Sequence, residues 1–316
     1  MRIAFVGKGG SGKSTLAALF ANYTNNSGIN TFVVDADINM HQAGLLGFKI
    51  VPKEKHLSNT NSVRKIKEYL IGKNERIIDD IHFKKTTPPT TNSNLVHWNN
   101  LNNFILKEFS IKIDNISLLT VGTYEDEGIG ASCYHTSLMS FENILSHSVE
   151  KSELIICDMV AGVDAFANTL HMQFDYLILA VEPTVRSVEV FNQYKGLSEK
   201  AGILKHLKII GNKVRNKSDE EFIKKQISTD FVLGFLYESE YLREIDQNPK
   251  KLDFSKLETK NKRVFRKILE LVKNSKNHSK ERYEILLKLH EKYIRKFFPD
   301  KFDYYMTQID PLYEIK

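Results

Sequence analysis

The chain has 316 residues, 41% of them hydrophobic and 27% charged, enough to bury a full core and unlike the polar, highly charged composition of disordered chains. No run approaches the roughly 18 apolar residues of a membrane-spanning helix, and two cysteines, Cys133 and Cys157, are too few for a disulfide framework, so a cytoplasmic protein is expected. The net charge of +6 is unevenly spread: residues 250–301 hold 17 Lys and Arg against 7 Asp and Glu, so the remainder is net acidic and a general nucleic-acid-coating surface is disfavoured.

In chain order, short apolar, β-branched runs alternate with helical patterns. "RIAFV" is too short for a signal peptide and reads as a buried strand, followed by a helix from Ser14 to Asn26 and a second strand, "TFVVDAD". Between Leu46 and Ile116 the pattern loosens around "KKTTPPTTNSNLVHWNNLNN". This reads as a mobile insertion, about residues 49–115, with helices near Ser62 to Ile71 and Leu95 to Glu108. Strands resume with "ISLLTV", "ELIICDM" and "YLILAVEP", then a helix from Val185 to Lys200, then "LKIIGNKV" and "FVLGFLY". The alternation predicts an α/β fold with a doubly wound, mostly parallel sheet. From about Leu257 two amphipathic helices follow, so the chain divides into a body of residues 1–255 and a basic helical extension of residues 256–316.

The first strand runs into "VGKGGSGKST", in which Gly7 through Ser14 satisfies the phosphate-loop pattern G-x-x-x-x-G-K-[ST] between a strand and a helix. Gly9, Gly10, Ser11, Gly12 and Thr15 complete a loop whose backbone N–H groups can surround phosphates at a helix N-terminus; Lys13 reaches the β- and γ-phosphates, and Ser14 binds Mg²⁺. The site is therefore expected to take a nucleoside triphosphate with Mg²⁺. A second cation, Lys8, sits at the loop tip and points away from its own cradle; it is either a solvated surface charge or a group that serves a neighbour's nucleotide. The segment "IIGNKV" carries Asn212 before Lys213, Val214 and Arg215, without the aspartate that selects guanine in N-K-x-D proteins, which favours adenine.

"GKGGSGKST" resembles the deviant Walker A loop of the dimeric P-loop ATPases that include MinD, the plasmid-partition ATPases, the nitrogenase iron protein and the nickel-insertion ATPases of carbon monoxide dehydrogenase. The resemblance spans roughly residues 1 to 250 and is greatest, through "AVEPTVRSVEVFNQYKGLSEKAGI" and "IIGNKV", to the nickel-insertion branch. It implies an ATP hydrolase that dimerises around two nucleotides, with Lys8 crossing to the partner's phosphate. "VVDADINMHQAGLLG" is similar to the family's switch I, implying that Asp37 orients the attacking water; Asp35 is ranked below it. "ELIICDMVAG" is similar to Walker B and switch II, implying that Asp158 holds Mg²⁺ through a water and that Gly162 swings as the γ-phosphate leaves. The same resemblance gives Asn212 to the nucleotide base and sets "FLYESEYLREID" at the base-packing loop, with Tyr237 where many members have proline.

In the nickel-insertion branch a C-x-C pair binds metal between subunits; here the comparable stretch, "GIGASCYHTSLMSF", offers Cys133 and His135. Two copies across a twofold axis would supply four ligands for Zn or Ni, against a plain reading as a small apolar cysteine and a helix-end histidine. Cys157 reads as core, His41 as a loop histidine and Trp98 as a pin for the insertion. The expected function is a Mg²⁺-dependent ATPase switch, a homodimer acting on a client protein, of the metal-centre maturation type or a close relative recruited to another client. The alternatives are a partition or positioning ATPase that binds DNA or a membrane surface through the basic extension, and a regulatory subunit of an effector complex.

Overall fold

A computed structural model describes residues 1–123, 137–163, 166, 169–248, 250–275 and 278–315. Among the described residues ten strands run in chain order as β1 (Arg2–Val6), β2 (Thr31–Ala36), β3 (Val96–His97), β4 (Ile111–Ile113), β5 (Ile116–Thr120), β6 (Ser148–Val149), β7 (Leu154–Met159), β8 (Tyr176–Val181), β9 (Leu207–Val214) and β10 (Val232–Tyr237). Eight of them form one sheet in the order β10-β9-β8-β1-β7-β2-β5-β4. Every pair in it is parallel except β4 with β5, a hairpin whose turn residue Asp114 has a φ of 54°. The expected doubly wound, mostly parallel sheet is thus observed.

The central strands are buried on both faces, as helix-flanked parallel strands must be. Alternate residues divide between two apolar layers: Ala4 and Val6 face one, Ile3 and Phe5 the other. The second layer receives the helix Lys13–Asn26 through Leu16, Leu19 and Phe20, and the helix Thr259–Asn274 through Val264, Phe265 and Ile268. The first receives the helices Thr60–Ile71, Met139–Ser146 and Val185–Lys200. The C-termini of the parallel strands of this sheet lie on one edge, where β1 gives way to the phosphate loop, β2 to Asp37, β8 to Glu182 and β10 to Glu238. That edge is where ligands bind in open parallel sheets.

The insertion differs from the mobile segment expected. Its helix Thr60–Ile71 is present, but Val96–His97 is a strand paired with β6, and helix begins only at Phe104. Trp98 is buried and meets Phe32 edge to face, 4.8 Å between ring centroids, so it does pin the insertion to the body. The Thr- and Pro-rich run is itself buried over residues 86–90. Its polar groups are satisfied by the C-terminal extension: Thr86 Oγ1 lies 3.0 Å from His290 Nδ1, Thr87 donates to Gln308 Oε1 at 3.0 Å, and Thr91 donates through N and Oγ1 to Asp310 Oδ2. Satisfying buried polar atoms in this way is what lets a loop-like composition pack.

The helix Ser279–Phe297 is fixed by charge as well as by Leu286 and Ile294. Arg282 pairs with Glu150 Oε2 at 2.9 Å and with Asp175, while Arg2 meets Glu150 Oε1 at 2.7 Å; all four side chains are buried. Arg282→Ala should destabilise the protein by about 3–5 kcal/mol, because it strands buried carboxylates, whereas Arg295→Ala, in an exposed pair with Glu291, should cost about 0–1 kcal/mol. Urea denaturation compares the two directly.

Candidate active site

The loop after β1 is shaped by its glycines. Gly12 precedes the helix Lys13–Asn26 with a φ of 87°, and a Cβ there would lie 2.3 Å from Asn212 Nδ2. Both facts exclude other residues without displacement of the loop. Gly7 is bridged to the switch segment by Gly162 N–H donating to Gly7 O at 2.9 Å, and Gly162 O in turn accepts from Tyr194 Oη at 2.6 Å. The helix Lys13–Asn26 starts with no side-chain cap and no acid in its first turn. Helices at Thr60, Val185, Lys217 and Glu240 are each capped by an Asn, Thr or Ser side chain. Uncapped N–H groups with the positive end of a helix dipole behind them form a phosphate cradle.

Lys13 is buried, and its Nζ lies 2.6 Å from Asp37 Oδ2. Asp37 Oδ1 accepts from Asn39 N at 3.0 Å and Asn39 Nδ2 at 2.8 Å. Burial raises the Asp37 pKa, but the bonds from Lys13 and Asn39 prevail and hold it below the usual carboxylate range. The register of β2 and β7 sets Asp35 opposite Asp158. Burial, and then Asp158, push Asp35 well above the ordinary range; burial raises Asp158 too, against Lys13, Gln42 and Ser14. Asp158 Oδ1 is buried with no hydrogen-bond partner. An orphaned carboxylate oxygen beside a second buried carboxylate, next to Ser14, is a donor set suited to a hard divalent cation such as Mg²⁺.

Sequence reasoning missed three residues here. Gln42 ties the acidic cluster together: its N–H donates to Asp35 Oδ2 at 2.9 Å, and its Nε2 to Ser14 O and Asp158 Oδ2, both at 2.9 Å. Glu182, after β8, pairs with Lys8 and, at 2.8 Å, with Lys213. Lys213 also donates to Gly10 O at 2.6 Å. Gln42 lies within the switch I-like segment and Glu182 within "AVEP", but neither type of residue has a spacing rule that marks it.

Of the predicted site residues, Lys13, Ser14, Asp37 and Asp158 converge. Ser11 is buried in the loop, Gly9 and Gly10 are exposed at its tip and Thr15 is half-buried. Asn212 donates its Nδ2 to Ser11 O at 2.6 Å, so its amide is engaged with the loop itself. Tyr237 has its backbone held by Asn261, which accepts from Tyr237 N at 2.7 Å and donates to Tyr237 O at 3.2 Å. His41 is exposed, and Cys157 is fully buried with its thiol pushed up by burial, a core residue as expected. Cys133 and His135 lie outside the described residues, and no metal-holding group of three His, Cys, Asp or Glu occurs among the described residues.

Known proteins resemble this chain in sequence and in fold. The chain is 30% identical over 279 residues to an ATP-binding protein of Methanocaldococcus jannaschii, covering 86% of this chain and 98% of the relative. It is 28% identical over 248 residues to the carbon monoxide dehydrogenase accessory protein CooC of Rhodospirillum rubrum, covering 78% and 87% of the two chains. Among solved structures, a ParA family ATPase from Chlorobium tepidum matches with a TM-score of 0.57 at 16% identity over 87% of this chain and 99% of that one. The septum site-determining protein MinD from Pyrococcus horikoshii, complexed with Mg-ADP, matches with a TM-score of 0.53 at 18% identity over 86% and 96%. These two show a common fold. Residues 3–252 match the family described as "CobQ/CobB/MinD/ParA nucleotide binding domain", and the chain belongs to that family of P-loop nucleotide-binding proteins.

Proposed function

We propose that this chain is a Mg²⁺-dependent ATPase that closes as a homodimer around two ATP molecules and acts as a nucleotide-driven switch on a client protein, of the metal-centre maturation type. One observation carries the reading: a buried lysine, Lys13, sits at an uncapped helix N-terminus, paired with Asp37 and near enough to Asp158, with its orphaned oxygen, to oppose the burial shift of that carboxyl. The 28% identity to CooC, a carbon monoxide dehydrogenase accessory protein, supports the maturation class.

In this reading ATP phosphates take the place of the Asp37 carboxylate on Lys13, exchanging one anion for another in a buried site. Asp37, released from Lys13, then orients a water toward the γ-phosphate. Ser14 and Asp158 hold Mg²⁺, which supplies neutralisation of the charge developing on the phosphoryl oxygens. Gln42 keeps Asp158 in place by bonding its other carboxylate oxygen. Gly162, held between Gly7 and Tyr194, carries the nucleotide state into the segment that follows β7. Lys8, from a second copy, stabilises the transferring phosphoryl group as a finger residue does.

A second reading, a partition or positioning ATPase, draws on the outer face of the helix Thr259–Asn274, where Lys260, Arg263, Arg266, Lys267 and Lys273 are exposed. It requires DNA affinity that falls steeply with salt, a log–log slope of about −0.9 for each phosphate neutralised; weak binding without that slope favours the maturation reading.

The site itself is tested by two substitutions. Asp37→Ala should keep Mg²⁺-dependent ATP binding in calorimetry and lower phosphate release by about 10²-fold or more, the usual scale for a group that positions or deprotonates a nucleophile. Asp158→Ala should weaken Mg²⁺-dependent binding itself. Normal turnover by Asp37→Ala would remove it from the chemistry.

A further inference from the structure

Beside the phosphate cradle, Lys8, Glu182 and Lys213 form a cluster, the first two past the C-terminal ends of β1 and β8 and Lys213 the penultimate residue of β9. The two lysines use different oxygens of one carboxylate: Lys8 Nζ meets Glu182 Oε2, and Lys213 Nζ meets Oε1 at 2.8 Å. Lys213 is further tied to the loop tip by its 2.6 Å bond to Gly10 O, and its φ of 56° is a left-handed conformation uncommon for a residue with a long side chain. Glu182 is fixed from its own side, its N–H donating to Ser187 Oγ at 2.9 Å and its O accepting from Thr184 N at 2.7 Å.

The three side chains differ in exposure, and the difference matters. Glu182 is 13% exposed, Lys8 33% and Lys213 49%, so the carboxylate is the member that loses most when left without a counter-ion, while either lysine can turn to solvent or to another anion. Burial opposes ionisation of Glu182, yet Lys213 and Lys8 together hold its carboxyl below the ordinary range.

We propose that Glu182 is a latch that keeps Lys8 within its own subunit, and that Lys213 is the counter-ion that stays with Glu182 when Lys8 leaves. The inference rests on the reading above in which Lys8 serves the nucleotide of a second copy. With a single partner, Glu182 would become a half-buried unpaired charge each time Lys8 departed. With Lys213 in place, departure loses one partly exposed ion pair, a small change that charge-assisted bonds to phosphate oxygens outweigh. Lys8 is thereby kept at home in the open subunit and released at little cost on closure. Weakening the hold of Glu182 should favour the closed dimer.

The test measures dimerisation with AMPPNP and Mg²⁺ by analytical ultracentrifugation over a protein concentration series, alongside calorimetric affinity of each subunit at concentrations below dimerisation. Glu182→Gln should leave the affinity of each subunit unchanged and tighten dimerisation by about fivefold per latch released, on the order of 25-fold for the two latches of a dimer. Lys213→Met should weaken dimerisation, and adding Glu182→Gln should remove that weakening; if it persists in the double variant, Lys213 acts through Gly10 and its part in the latch is wrong. Lys8→Ala separates the two levels. If Lys8→Ala abolishes dimerisation while Glu182→Gln dimerises no more tightly than the unaltered chain, the latch is overturned alone. If Lys8→Ala dimerises normally, the reading beneath it falls as well.

Discussion

Lys13 is a cation held inside the protein, and its pairing with Asp37 is the constraint around which the site is arranged. A buried ammonium without a counter-ion would be expelled or neutralised, so the apo protein needs an anion at that position whether or not nucleotide is bound. Asp37 supplies it, and the Asn39 bonds hold Asp37 within reach. In the proposed function the same requirement lets an incoming phosphate be accommodated without rebuilding the site, one anion being exchanged for another against a fixed charge and an uncapped helix end. Asp35 and Asp158, forced side by side by the β2–β7 register, lie close enough to this charge that Lys13 is among the groups opposing the burial shift of Asp158.

The rest of the fold serves to keep that edge of the sheet rigid. Loop geometry is set from two sides, by the bridge from Gly162 to Gly7 and by the Asn212 bond to Ser11 O. Behind it, the helix Lys13–Asn26 is packed over the central strands with the helix Thr259–Asn274 in the same apolar layer. The C-terminal extension is therefore part of the body that positions the nucleotide edge. Asn261 grips Tyr237 at the end of β10, and Arg282 anchors the next helix to Glu150 and Asp175. On the helix Thr259–Asn274, Lys260, Arg263, Arg266, Lys267 and Lys273 remain on the outer face.

Much of this was legible in the sequence because its determinants are local. The phosphate loop, the apolar β-branched strands and the 3.6-residue periodicity of the last helices each depend on neighbours within a few positions, and Lys13 was found from the loop pattern, whereas Asp37 and Asp158 came from the resemblance of their segments to switch I and Walker B. What escaped depends on contacts across the chain. The run "KKTTPPTTNS" has the composition of a mobile loop, and it is buried because His290, Gln308 and Asp310 meet its threonines from far along the sequence. Gln42 and Glu182 were visible as letters but not as functional residues, since an amide that joins two carboxylates and a carboxylate shared by two lysines are defined by strand register and loop approach. Asn212, assigned to the base by resemblance, donates its amide to the loop carbonyl of Ser11.

The central claim is that the site is completed by a lysine from a second copy, and mixed dimers test it most directly. Subunits carrying Lys8→Ala retain Lys13 and can hold ATP, while subunits carrying Lys13→Ala cannot but still offer Lys8 across the interface. Each variant alone should hydrolyse ATP at a rate lowered by about 10³-fold or more, the scale for a cation withdrawn from a transferring phosphoryl group, and mixing the two should restore a substantial part of the lost phosphate release. Full hydrolysis by Lys8→Ala alone, or no recovery on mixing despite formation of the mixed dimer, would contradict the account.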